Sequence, residues 1–227
     1  MSTARVLRGV GWMLIGSGAL LLLYIVYLLA FTNVTTQRAQ GDLLATWQAQ
    51  VGGLPVGGSE DTGVVPVVPR PPPAAQPEVE LGNAHAVIWF QRPDMAAPIV
   101  HDGPLLVVEG VAVEQLKRGP GHYPLSGQAG QPGNFAIAGH RTTYGAPFLH
   151  LDQLTPGDEV HVVDRQGREW TYVVRTSQIV SPNDVWVLGE DPLGTGEPTM
   201  TLTTCHPRFS AAQRLVVFAA LPPRGVL

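Results

Sequence analysis

The sequence predicts a mainly β domain, a closed barrel or a two-sheet sandwich, carried behind an N-terminal membrane helix and a Pro/Gly-rich linker. Three observations predict it. From about Glu78 onward, short runs rich in Val, Ile, Thr and aromatic residues recur at regular intervals, bounded by Gly, Pro, Asp or Asn. The 21 prolines and 26 glycines suit strands with long connections better than a helical bundle. Only one segment of this region has a helical pattern, "APFLHLDQL", Ala146 to Leu154, with Phe148, Leu151 and Leu154 at three-residue spacing. The domain has about 150 residues, enough to bury a core without disulfides.

The elements follow in order. Residues 1–8 read as a short cytoplasmic tail and residues 9–31, "GVGWMLIGSGALLLLYIVYLLAF", as a transmembrane anchor. That run is uncharged over roughly 23 residues, and at about 1.5 Å per residue it spans roughly 34 Å, enough to cross a bilayer core of about 30 Å. It is longer than a signal-peptide core of about 7–15 residues, and no Ala-x-Ala cleavage site follows Ala30. Arg5 and Arg8 precede it and only Arg38 follows closely, which places the N-terminus in the cytoplasm and the rest outside the cell. Residues 32–77 read as a linker. "TQRAQGDLLATWQAQ" within it has Leu43, Leu44 and Trp47 at the spacing of a short helix, while Gly and Pro dominate from Gly52 to Pro77 and cannot build a core. Residues 78–227 are the extracellular domain, where "PLLVVEGVAV", "NFAIAGH", "DEVHVVD", "EWTYVVRTSQIV", "TMTLTTC" and "RLVVFAAL" read as strands and Gln166-Gly167 as a hairpin turn.

Composition narrows the function. With 14 Lys plus Arg against 18 Asp plus Glu, and no basic cluster longer than Lys117-Arg118, nucleic acid is not an expected partner. No metal site or other cofactor is expected either, because the acidic residues are scattered and the histidines lack ligand spacing. The single cysteine, Cys205, lies in "TLTTCHPRF". An extracellular cysteine usually pairs, and this one has no partner in its own chain, so it is either a small buried hydrophobe or a nucleophile. A nucleophile needs a base and an oxyanion stabiliser. His206 adjoins Cys205, but neighbours on a strand point to opposite faces. His161 and His150 suit surface or packing roles, and His85 and His101 lie in the poorly patterned start of the domain. His140 closes a buried-looking strand, with His122 as its competitor. Arg214, nine positions after the cysteine, opens the last strand and returns beside Cys205, whereas Arg208 lies in the loop and Arg141 suits a structural role.

"TLTTC" with Arg214 downstream and "GNFAIAGHR" upstream resembles the sortases, membrane-anchored cysteine transpeptidases of mostly Gram-positive bacteria. "VVEGVAVEQLKRGPGHYP", "GNFAIAGHRTTYGAPFLHLDQLTPGD" and "TLTTCHPRFSAAQRLVVFAAL" look most like class E, the actinobacterial housekeeping type, over about Ala86 to Leu221. The resemblance implies a closed sortase-like barrel with one or two short helices. It also implies Cys205 as nucleophile, His140 as the essential histidine and Arg214 as the arginine, with Thr204 and Tyr123 as substrate contacts. The sequence departs from relatives in "SGQAGQPGN", where Ser126 and Ala129 replace a usual Thr-Ala-x-Pro-Gly, and in "AVIWFQRPDM".

The same resemblance implies the reaction. Cys205 would attack the Thr-Gly carbonyl of a C-terminal sorting signal, Leu-Ala-x-Thr-Gly or Leu-Pro-x-Thr-Gly, on a secreted protein. The thioester would then be resolved by an amine of a lipid-linked peptidoglycan precursor. Two alternatives stand beside this reading, a sortase of another class such as a pilin polymerase and a non-catalytic anchored binding module.

Overall fold

The computed structural model describes residues 3–51, 79–95 and 97–222. Eight strands close into a barrel: β1 (Ala84–Gln91), β2 (Leu105–Glu109), β3 (Gly121–His122), β4 (Asn134–Ala138), β5 (Glu159–Asp164), β6 (Glu169–Val180), β7 (Thr199–His206) and β8 (Gln213–Ala220). Around the barrel the order is β1-β2-β3-β4-β7-β8-β6-β5, with β1 and β5 pairing to close the ring. Two neighbouring pairs are parallel, β2 with β3 and β4 with β7. Inward positions alternate as the pleat requires. Phe135 and Ile137 of β4, Met200 and Leu202 of β7, and Leu215 and Val217 of β8 all join one buried core with Tyr172 and Phe148. The expected hairpin is present, with Gly167 at φ 72° and its N–H donating to Asp164 O at 2.9 Å.

Residues 146–154 differ from the helix expected there. Only Leu151–Gln153 form a helical turn, of the 3-10 kind, and a second such turn spans Val185–Leu188. Phe148, Leu151 and Leu154 are all buried, and their spacing of three is the 3-10 period rather than the α period. Pro147, which cannot donate a backbone hydrogen bond, sits at the start of the segment. A four-residue helix, α2, spans Val113–Leu116.

The N-terminal helix, α1, is one continuous element of 49 residues, Thr3–Val51. It holds an 18-residue window of mean hydropathy 2.3, none of it buried. Its C-terminal third does not behave as the beginning of a linker. Leu43 and Trp47, 3% and 1% exposed, pack with Ala84, Val87, Leu106, Val108 and Val163 on the outside of β1, β2 and β5. Gln40 satisfies three backbone groups at once, donating to Leu106 O and Arg118 O and accepting from Leu106 N at 2.9 Å. Thr36 donates to Lys117 O, and Asn33 Oδ1 accepts from Gly145 N. The contact residues 33, 36, 40, 43 and 47 follow helical spacing along one stripe. Val51 still packs on that cluster, and Val79 lines a cleft of the same barrel. The Pro/Gly-rich stretch lies outside the described residues. Trp47→Ala is expected to cost about 3–5 kcal/mol of packing. Hydrogen exchange and limited proteolysis on the full chain in detergent should show residues 33–51 becoming accessible while the barrel strands stay protected.

Candidate functional site

Cys205 sits near the end of β7, on the outward set with Thr201 and Thr203, since Met200 and Leu202 take the inward positions. It is partly exposed and is a free thiol. In the antiparallel ladder with β8 its Cα partner is Arg214, so the two side chains leave the sheet on the same face. On its other side β7 runs parallel to β4, with Ala138 opposite Thr203, and Gly139 N continues the ladder by donating to Thr203 O at 3.0 Å. His140 follows Gly139 directly, just beyond the end of β4 and next to the end of β7 that carries Cys205. The neighbouring strands β4, β7 and β8 thus bring His140, Cys205 and Arg214 to the same end of the barrel wall.

His140 is half-buried, with its Nε2 inaccessible and without a hydrogen-bond partner. Burial pushes its pKa below the ordinary value of 6.5, which favours neutral imidazole. Tyr144 lies beside its ring, with centroids 5.0 Å apart, and Phe148 N donates to His140 O. Arg214 forms no ion pair among the described residues; its Nη1 donates to Ala211 O and Gln213 O, both at 3.0 Å, on the β7–β8 turn. Beside it lies a cleft of about 70 Å³ lined by Tyr123, Thr203 and Arg214, with apolar walls from Val180, Val187 and Val216. Tyr123 hydroxyl lies 3.2 Å from Thr203 Oγ1, within that cleft.

A Sortase domain model matches residues 94–222 of this chain, more than half its length. The chain belongs to the sortase family. It is 30% identical to Sortase SrtE1 of Streptomyces coelicolor over 94% of its own length, and spans 56% of the length of that relative. It is 29% identical to Sortase SrtE2 of the same organism, covering 96% of this chain and 83% of the relative. Among solved structures, sortase E from Streptomyces avermitilis superposes with a TM-score of 0.54 at 37% identity, covering 64% of this chain and 91% of that one. Class E is thus the type this sortase most resembles.

The remaining candidates divide by position in the sortase barrel. Thr204, expected as a substrate contact, is only 3% exposed and points to the opposite face from Cys205; its hydroxyl donates to Gly139 O at 2.7 Å. That bond ties β7 to the residue preceding His140. Arg141 is 4% exposed, donates to Cys205 O at 3.4 Å and His206 Nδ1 at 3.1 Å, and pairs with Asp152 at 3.0 Å. His206 is accordingly occupied on the far side of the strand as an acceptor. His161 stacks on Trp89 and meets Glu159 and Glu169 at the surface, and His101 contacts Gly103 O. Ser126, one of the departures from relatives, fastens the loop after β3 by donating to Tyr123 O and accepting from Ala136 N.

One cluster was invisible in the sequence. His85 of β1, Glu109 of β2 and His122 of β3 are 2%, 5% and 0% exposed and meet beneath a separate cleft of about 640 Å³. The two imidazoles stack with centroids 4.0 Å apart. Burial pushes His85 below 6.5, and although burial alone would raise Glu109, the contacts from His122 and His85 outweigh it and hold that carboxyl down to about 2. Residues 85, 109 and 122 lie too far apart in sequence for any spacing rule; only the β1-β2-β3 neighbourhood brings them together.

Proposed function

We propose that this sortase is a membrane-anchored cysteine transpeptidase that cleaves a Leu-Ala-x-Thr-Gly or Leu-Pro-x-Thr-Gly sorting signal between Thr and Gly and joins the new C-terminus to a cell-wall precursor amine. The observation that carries the reading is the gathering of His140, Cys205 and Arg214 at one end of the neighbouring strands β4, β7 and β8, beside an apolar cleft. Cys205 attacks the threonine carbonyl carbon and forms a thioester as the C–N bond to glycine breaks. His140 gives a proton to the departing amine and later takes one from the incoming amine, a two-way role that suits an imidazole near neutrality. Arg214 carries fixed charge on a planar fork, suited to substrate carbonyl oxygens and to the oxyanion of each tetrahedral intermediate. To bind substrate it exchanges the weak carbonyl contacts at Ala211 and Gln213. The walls of Val180, Val187 and Val216 suit the leucine of the signal, and Tyr123 a neighbouring backbone group.

The apolar part of α1 serves as the anchor, with the N-terminus in the cytoplasm and the barrel outside. Because residues 33–51 dock on the barrel, the anchor holds the domain against the membrane surface instead of trailing it on a long tether. Secreted substrates and lipid-linked precursors share that surface, and confinement there raises their effective concentration.

The test uses the full chain in detergent with internally quenched Leu-Ala-x-Thr-Gly and Leu-Pro-x-Thr-Gly peptides and an amine acceptor. Wild type is expected to cleave at least one peptide at the Thr-Gly bond and to yield the amine adduct, and Cys205→Ala to do neither. Cleavage of neither peptide by wild type, or equal cleavage by Cys205→Ala, overturns the reading.

A further inference from the structure

The buried cluster of His85, Glu109 and His122 is not used by the chemistry above. Its hydrogen-bond network has one gap. His122 Nε2 lies 3.0 Å from Gly127 O and 3.0 Å from Ser126 Oγ. The Ser126 hydroxyl already donates its one proton to Tyr123 O at 2.8 Å, so toward the imidazole it is an acceptor. Two acceptors at Nε2 place a proton there, and Nδ1 faces Glu109 Oε2 at 2.9 Å, where a proton or a metal ion can bridge nitrogen and carboxylate. His85 Nδ1, buried and without a hydrogen bond of regular geometry, lies 2.5 Å from the same oxygen. Two imidazole nitrogens and a carboxylate oxygen therefore converge, all within 4.8 Å of one another. A buried carboxylate shared by two imidazoles needs positive charge at the centre of the cluster, which protons or a single bound metal ion can supply.

We propose that His85, Glu109 and His122 form a binding site for one divalent transition-metal ion of the zinc class. Two imidazoles and one carboxylate match the donor preference of zinc, whereas calcium and magnesium take oxygen donors. The proton on His122 Nε2, held by Gly127 O, is the outer contact that fixes the tautomer of a ligating histidine. Small rotations separate the donors to the spacing an ion with bonds of about 2.0–2.2 Å requires. His85 and Glu109 also line the 640 Å³ cleft, with Glu80 and Gln128 on its walls, which provides an entry path and room for a water in a fourth position. The ion would fasten β1, β2 and β3 together. It would also fix the residue before Tyr123, whose hydroxyl meets Thr203 beside the candidate site.

The site is tested on the full chain in detergent, without a polyhistidine tag and in a Cys205→Ala background, so that the thiol cannot compete. After chelator treatment the protein is titrated with zinc chloride by calorimetry and with cobalt(II) chloride by visible absorption. One equivalent of ion is expected, with a cobalt spectrum of low-coordinate nitrogen and oxygen ligation and a raised Tm. His85→Gln and His122→Gln should each weaken binding by more than the ~10–100-fold that loss of an outer contact costs, while His161→Gln at the surface leaves it unchanged. Should the buried variants fail to fold, zinc-edge X-ray absorption of the Cys205→Ala protein decides the matter, with two imidazole shells expected. No stoichiometric binding, binding retained in His85→Gln and His122→Gln, or a first shell without imidazole overturns the proposal. None of these outcomes depends on peptide cleavage, so this site and the transpeptidase reading stand or fall separately.

Discussion

His140→Ala is expected to lower kcat/KM for peptide cleavage by about 10²–10⁴-fold, the contribution typical of a positioned general acid and base. The expectation rests on its place just beyond β4, next to the end of β7, and on a buried ring nitrogen without a hydrogen-bond partner, free to take a proton from a thiol and give it to a leaving amine. The pH profile carries more information than the loss itself. Burial depresses the His140 pKa, so the protonated ring becomes dominant only below 6.5. The acid limb of kcat/KM for wild type should therefore fall below pH 6.5, and that limb should be absent from the residual activity of the variant. Stability follows the same sign. The unfolded chain binds a proton at higher pH than the folded one, so the His140 contribution is complete above 6.5 and declines as pH falls toward the depressed value. His140→Gln should flatten that part of the Tm against pH curve. An unchanged acid limb in the variant would remove His140 from the chemistry.

Much of this site was legible because its residues stand where strand physics makes sequence readable. The run "TLTTC" alternates, so parity alone separates Cys205 from His206, and the barrel places His206 against Arg141 on the other face. A strand, a turn and a returning strand bring Arg214 opposite Cys205, as the nine-residue spacing implied. What escaped is long-range or sparse. β3 is two residues long and carries no pattern of its own. The docked part of α1 hides its contact stripe because two of its anchors, Thr36 and Gln40, are polar and act through backbone carbonyls instead of apolar area. Thr204 adjoins Cys205 in sequence, but strand parity turns its hydroxyl the other way, toward Gly139. His85 and Glu109 offered no signal at all, since a ligand set drawn from three strands has no spacing to read.

The second large effect is expected at Arg214, where the chemistry of the side chain separates from its charge. Arg214→Ala should cost about 10²–10³-fold in kcat, the usual loss for one oxyanion donor. Arg214→Lys is the sharper variant. A lysine on β8 keeps the positive charge opposite Cys205, but it replaces a planar fork with a single hydrated point donor. If Arg214 acts by field alone, Arg214→Lys should recover most of the activity; if it grips two oxygens at once, the variant should remain near the Ala level. The present contacts favour the second outcome, because a single terminal nitrogen already bridges Ala211 O and Gln213 O, and the other stays available to substrate. Steady-state cleavage of the quenched peptide by both variants, with kcat and KM separated, makes the distinction. A loss confined to KM in both would make Arg214 a binding residue with equal grip on ground state and transition state. A loss in kcat that lysine does not restore would place its fork on the oxyanion, the one position where bidentate geometry gains strength as charge develops.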